Sequence, residues 1–230
     1  MKIYSKIIPP MVLALAGFVF HACARPAFTA EERRIIEESD SLMYVTVMPG
    51  DSAVLRTPSV DFGEAELRSP LLQTLLDKML FTVQHPSQDG VGIAAPQVGL
   101  NRRAVCVQRF DKAGEPFECY VNIRIDSLSG PVVRGPEGCL SVPGLRGIVP
   151  RRSVAFISYL RPGSSCPKHS SGHNCQGCGS HRPASPGQGC AERVHERVEG
   201  FTAVIFQHEC DHLDGILYTS RADSLYVVSE

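Results

Sequence analysis

Gly200-Phe201-Thr202-Ala203-Val204-Ile205-Phe206-Gln207-His208-Glu209-Cys210-Asp211-His212-Leu213-Asp214-Gly215 is the stretch that decides the reading of this chain. Two histidines four residues apart project from one helix face and can grip a single metal ion. Glu209 between them is placed to handle the proton of a water activated by that ion. Residues 201–213 are apolar nearly all round, the pattern of a helix buried in a core, with Gly200 and Gly215 as boundaries. Low dielectric there strengthens the field of any captured cation. Metal-assisted hydrolysis is the first expectation, and a pair of core histidines that only satisfy hydrogen bonds is the plain alternative.

Two histidines need further protein ligands to hold a catalytic metal. Downstream, Asp214, Asp223 and Glu230 offer oxygens, while Tyr218 stands where an extended motif beginning His-Glu-x-x-His-x-x-Gly would need another histidine. Upstream, Glu137-Gly138-Cys139-Leu140-Ser141 is the better source, because the glycine lets the backbone approach closely. A Cys139 thiolate with His208 and His212 leaves one position open for water. A second stretch, Gly90-Val91-Gly92-Ile93-Ala94-Ala95-Pro96-Gln97-Val98-Gly99, has small residues against which an extended substrate can lie, and the Gln97 amide can meet a developing oxyanion. It is not a dinucleotide fingerprint. Ala95 occupies the third glycine position, and the preceding residues are polar and proline-bearing rather than strand-like.

Ser69-Pro70 predicts a helix start, with Leu71, Leu72, Leu75, Leu76, Met79, Leu80 and Val83 following at helical spacing. From Arg103 the rhythm changes to alternation, with Ala104, Cys106 and Gln108 facing opposite to Val105, Val107 and Arg109. A turn over 110–115 leads to a strand over 117–121, and 154–159 reads as another. Strands clustered before a buried helix predict an α+β domain.

The 230 residues suit one catalytic domain with additions, and 43% apolar content is enough for a core. A net charge of -1 and few aromatics argue against a nucleic-acid partner or an anionic membrane held by charge alone. The N-terminus is distinctive: Lys2 and Lys6 precede an apolar stretch over 7–20, then His21-Ala22-Cys23-Ala24. It reads as an export signal over 1–22, with Cys23 as a lipidated first residue and membrane anchor, although Phe20 and His21 are larger than usual before such a cysteine. An uncleaved apolar segment is the alternative. Residues 23–53, with charged runs at 31–34 and 37–38, read as a tether or N-terminal helix outside the core, leaving a catalytic domain over 54–230. Nine cysteines, an odd number, discourage a fully paired disulfide framework.

At three segments the chain resembles the peptide deformylase family: Gly90 to Gln97, Glu137 to Ser141, and Gln207 to His212, within roughly residues 50–222. The resemblance implies an α+β fold with antiparallel and mixed sheets around a central helix carrying the motif. It assigns metal ligation to Cys139, His208 and His212, general acid/base catalysis to Glu209, and oxyanion stabilisation to Gln97 and the backbone N–H of Leu140. The implied metal is one divalent ion, usually ferrous iron, with zinc, nickel or cobalt also accommodated. The implied reaction releases formate from a formyl-methionyl peptide or nascent chain, as a monomer. Gly90, Val91, Gly92 and Gly144 are then expected to pair with substrate backbone. Phe201, Val204, Ile205 and Leu140 are expected to form the methionine pocket, with Arg146 at its mouth. A family role in protein biosynthesis points to the cytoplasm, whereas the N-terminus points to a bacterial cell-envelope lipoprotein.

One region departs from that pattern. Residues 161–193 hold four prolines, Cys166, Cys175, Cys178 and Cys190, and no helical or strand period, and read as a surface insertion. Cys175-Gln176-Gly177-Cys178 has the spacing of a structural zinc knuckle, but a mainly loop-like insertion is the first reading, with internal disulfides and zinc as its alternatives. A metallopeptidase using the same helix and a noncatalytic metal-binding protein are the competing functions.

Overall fold

The computed structural model describes residues 28–161 and 192–228. Four helices come first: α1 (Ala30–Glu38), α2 (Ser52–Leu55), α3 (Glu64–Leu67) and α4 (Pro70–Gln84). Strands β1 (Gly92–Ala94), β2 (Ala104–Gln108), β3 (Phe117–Cys139), β4 (Val142–Arg161) and β5 (Glu192–Glu199) follow, then helix α5 (Gly200–Leu213) and strand β6 (Ser224–Val227).

The helix anticipated after Ser69 is α4, whose start is capped by the Ser69 hydroxyl accepting from the Leu71 N–H at 3.3 Å. Alternation along β2 decides the layering. Ala104 and Cys106 join Leu75, Leu76 and Met79 of α4 in one core cluster. Val105 and Val107 join Ala203, Phe206 and Cys210 of α5 in another. The sheet around β2 is thus a middle layer between two helices, and each large apolar side chain buried there contributes about 1.5–3 kcal/mol in gross terms.

Six strands form one sheet in the order β1-β2-β3-β4-β5, with β6 on β4. β4 is long enough for β5 to pair with residues 154–161 and β6 with residues 145–148. Every named pairing is antiparallel, so the mixed sheets anticipated above are corrected. Short connections such as 109–116 reverse the chain and allow only antiparallel neighbours. Among the described residues the one parallel contact is the isolated bridge Val60–Arg102. β3 and β4 run to 23 and 20 residues, far beyond the expected strands. Glycines and prolines hide this length in the sequence; of the four register shifts in the ladder, one spans Gly130-Pro131 and another Gly138.

The segment read as lying outside the core also needs correction. From residue 28 onward it packs, with Phe28, Ile36 and Met43 buried beside α4. Lys78 Nζ donates to the Ile36 and Ser39 carbonyls at the end of α1. Arg102 grips Glu32 from across the fold. The charged run had masked three apolar anchors. Cys106 and Cys119, read as scattered, are cross-strand partners joined in a disulfide. Cys139 and Cys210 are the free cysteines among the described residues.

The export signal, Cys23 and the first part of the tether lie outside the described residues, as do Cys166, Cys175, Cys178, Cys190 and the rest of 162–191. The described ends of that segment meet, because Arg161 pairs with Glu192 in the β4–β5 ladder. No helix among the described residues is long and apolar enough to cross a membrane.

Candidate metal centre

Helix α5 brings two of the three predicted ligands, and a clamp on β4 sets its rotation. The Gln207 amide donates to the Arg152 carbonyl at 2.7 Å and accepts the Arg152 N–H at 3.1 Å. The third ligand, Cys139, ends β3 just after the last register shift of the β3–β4 ladder. There the ligand atoms of Cys139, His208 and His212 lie within 4.8 Å of one another. Cys139 Sγ is 3.2 Å from His212 Nε2.

Carboxylates behind the cluster orient it. His208 Nδ1 donates to Glu137 Oε2 at 2.8 Å, which turns Nε2 toward the other ligands. Arg151 holds both Glu137 oxygens at 2.8 and 3.0 Å and reaches Asp211 at 2.6 Å. Arg221 takes both Asp211 oxygens, and the Tyr218 ring stacks on His208 at 5.8 Å between centroids. Glu137, Arg151, Asp211, Arg221 and Tyr218 were given no supporting role from sequence. Asp211 carried a faint signal, sitting inside the motif three residues after His208. Arg151 carried none, because its partners are 14 and 60 residues away.

The opposite wall comes from the glycine-rich stretch. Gln97 Oε1 accepts the Ala94 N–H at 2.8 Å, and its Nε2 donates toward Cys139 Sγ at 3.5 Å and Ser141 Oγ at 3.3 Å. Residues 46–48 strap both loops, since the N–H groups of Thr46 and Met48 donate to the Gln97 and Ser141 carbonyls. Gly92 is needed as glycine: a Cβ there would stand 2.5 Å from Glu209 Oε1. β1 therefore presses its backbone on the carboxylate.

A cavity of about 360 Å³ opens over the cluster. It is lined by the predicted Gly90, Val91, Gly92, Gln97, Leu140 and Arg146, and by Phe201, Val204, Ile205, His208 and Glu209 from α5. Asp89, which sequence reasoning missed, also lines it and holds a left-handed backbone with φ 46°. Gly144 does not line the cavity; its carbonyl accepts the Val228 N–H instead.

Burial alone would raise the Cys139 thiol, but the adjacent His212 and His208 outweigh it and hold the group well below its ordinary value, as a thiolate. Burial likewise works against Glu137, yet Arg151 and then His208 bring it down to about 2. Glu209 goes the other way. Burial lifts it to about 7 against the pull of the two imidazoles, the range of a working acid/base. Glu209 Oε2 and His212 Nδ1 are buried without a hydrogen-bond partner among the described residues. A thiolate, two imidazole nitrogens and an orphaned carboxylate oxygen fit a divalent cation and a water better than they fit each other.

The polypeptide deformylase family model matches residues 44–165 and 190–227. Peptide deformylase 2 of Bordetella bronchiseptica is 37% identical over 191 residues, covering 80% of this chain and 90% of its own length. A peptide deformylase of Leptospira biflexa is 33% identical over 178 residues, with 74% and 83% covered. Among solved structures, the actinonin-bound class I type b peptide deformylase from Acinetobacter baumannii superposes with a TM-score of 0.60 at 31% identity, covering 79% of this chain and 99% of that one. The Met-Ala-Ser-bound form of the same enzyme has a TM-score of 0.60 at 32% identity, covering 78% and 98%.

Proposed function

This chain belongs to the polypeptide deformylase family, and we propose that Cys139, His208 and His212 hold its divalent metal while Glu209 moves the catalytic proton. The protein is a peptide deformylase, a hydrolase that removes the formyl group from formyl-methionyl peptides. The observation that carries the residue assignment is the convergence of one sulfur and two imidazoles beside a buried carboxylate with an unpaired oxygen. In this reading α5 is the central helix of the domain, as the family resemblance implies.

Bound there, a divalent cation supplies Lewis acidity, polarising the formyl oxygen and making a water acidic enough to lose its proton near neutral pH. Glu209 accepts that proton as the water oxygen attacks the formyl carbon, then returns it to the departing amine, giving formate and a free N-terminus. The Gln97 amide and the Leu140 N–H meet the charge that develops on the formyl oxygen. Gln97 is held for this by its own contacts with Ala94 and Ser141. Main-chain groups at Gly90 to Gly92 pair with the extended peptide, and the apolar side chains of Leu140, Phe201, Val204 and Ile205 take the methionine. Phe201 is more than half exposed and rests on Phe110, 5.2 Å between ring centroids. That openness suits a pocket rim.

By resemblance the native metal is ferrous iron. The thiolate and imidazole donors accept zinc, nickel or cobalt as well. The test is formate release from a formyl-Met-Ala-Ser peptide under oxygen-poor conditions with ferrous iron supplied. Cys139→Ala is expected to lose both bound metal and formate release. A variant that keeps one tightly bound ion per chain sinks the assignment of that ligand.

A further inference from the structure

α5 lines a cavity on each of two faces. His208, Glu209, Val204 and Ile205 look into the catalytic groove. Gln207, Cys210 and Asp211, with Asp214 just beyond, line a separate cavity of about 500 Å³ on the other side of the helix. At 100° per residue the two sets point in nearly opposite directions.

That second cavity is dominated by guanidinium groups, from Arg103, Arg124, Arg151, Arg152 and Arg221, against two lining carboxylates, Asp211 and Asp214. Arg151 has all its donor atoms engaged. The other four do not. Arg103 uses Nε on the Ile123 carbonyl and Nη1 on Asp214, leaving Nη2. Arg221 spans Asp211 with Nε and Nη2, leaving Nη1. Arg124 meets Asp61 through Nη2 alone. Arg152 has no carboxylate partner among the described residues, where its guanidinium donates only to the Gly130 carbonyl. With Glu137 on Arg151 and Asp61 on Arg124 counted beside Asp211 and Asp214, five guanidinium groups meet four carboxylates, so the cavity keeps the positive charge of Arg152 together with the unused N–H donors.

We propose that this cavity binds a phosphate group, either free phosphate or the head group of an anionic phospholipid. A tetrahedral anion with several acceptor oxygens suits donors arriving from four directions, and guanidinium groups are the side chains best matched to it. The rim is consistent with the lipid source: Leu128 and Val132 line the same cavity and stay 44% and 43% exposed. Exposed aliphatic side chains beside a cationic pocket can take the first methylenes below a head group. The site is on the face of α5 away from the groove, so an occupant leaves the formyl peptide's path open.

Isothermal titration of the full, metal-loaded chain tests this, with three probes: inorganic phosphate, monomeric dihexanoyl phosphatidylglycerol, and dihexanoyl phosphatidylcholine as the zwitterionic control. Saturable binding of phosphate or of phosphatidylglycerol is expected, weakened by about tenfold or more in Arg152→Glu and in Arg124→Glu. Formate release should be unchanged in Arg124→Glu, which also shows that this variant folds, and a circular dichroism melt checks the fold of Arg152→Glu. Tighter binding of phosphatidylglycerol than of phosphate identifies the head group as the source, and the reverse identifies free phosphate. No binding of either anion, equal binding of the zwitterionic control, or binding that survives both substitutions overturns the proposal.

Discussion

Two buried polar clusters in this molecule are built from similar residue types and differ in one respect. Around Arg109, five N–H donors meet five acceptors: Asp111 twice, Glu118, Glu196 and the Tyr120 hydroxyl. Tyr120 in turn donates to Glu118, and Lys112 closes the set on the same carboxylate. Around Cys139, by contrast, Glu209 Oε2 and His212 Nδ1 have no partner among the described residues, and the donor atoms converge on one another. A closed network ties strands together, here β2, β3 and β5; an open one keeps bonding capacity for something that is not protein. Residue type alone does not separate the two.

The sharpest test of the contrast is Glu209→Gln. Formate release should fall by about 10²- to 10⁴-fold with bound metal unchanged. An activity within a few-fold of the parent would break the assignment of Glu209 as the acid/base. Arg109→Met should do the opposite, leaving formate release per folded molecule intact while lowering stability by roughly 1–3 kcal/mol in urea, because it removes a buried guanidinium that three partly solvated carboxylates share. If activity collapsed while stability held, the two clusters would have been read the wrong way round.

Glu137→Gln probes the support behind the open cluster. Weakening the Arg151 and His208 contacts should reduce metal affinity by about 10- to 100-fold, measured by competition with a chelator, with a smaller loss at saturating metal. Unchanged affinity would make Glu137 a packing residue. The smallest effect concerns acid. Arg109 holds Asp111 below its usual 3.8 against the opposing effect of burial. Burial works against Glu118 too, but Lys112 and Tyr120 hold it below 4.5. With folded values below unfolded ones, these groups bind fewer protons when folded. Their contribution is therefore fully present above the ordinary carboxylate range and is lost as pH falls through the lower folded values. Denaturation at stepped pH should show a flatter acid decline for Asp111→Asn with Glu118→Gln than for the parent, by less than about 1 kcal/mol because both carboxylates are partly solvated. Identical slopes would mean that the closed network leaves their titration untouched.

The two histidines of the proposed metal site stood out because their spacing has few other uses. His208 and His212 are one helical turn apart, and that geometry follows from the sequence before anything is folded. The same holds for α4, whose stripe of leucines and cap at Ser69 are local facts, and for the alternation of β2. Local patterns said nothing of the long β3–β4 ribbon, because Gly130, Pro131, Pro136 and Gly138 read as breakers, yet register shifts absorb Gly130, Pro131 and Gly138 and Pro136 pairs in register with Ile148. Nor did they reveal Phe28, Ile36 and Met43 as core residues, since a charged helix shows its apolar side only against a partner.

The amino-acid order by itself determined which side chains could bind a cation, and that one helix would carry two of them. Only the tertiary structure decided that Cys139 reaches that helix, that Glu137 and Arg151 aim His208 from behind, and that Gly92 sets its backbone on Glu209. Helical periodicity is written within a few residues, whereas contacts across 14 to 117 positions exist only once the sheet and α5 have packed together.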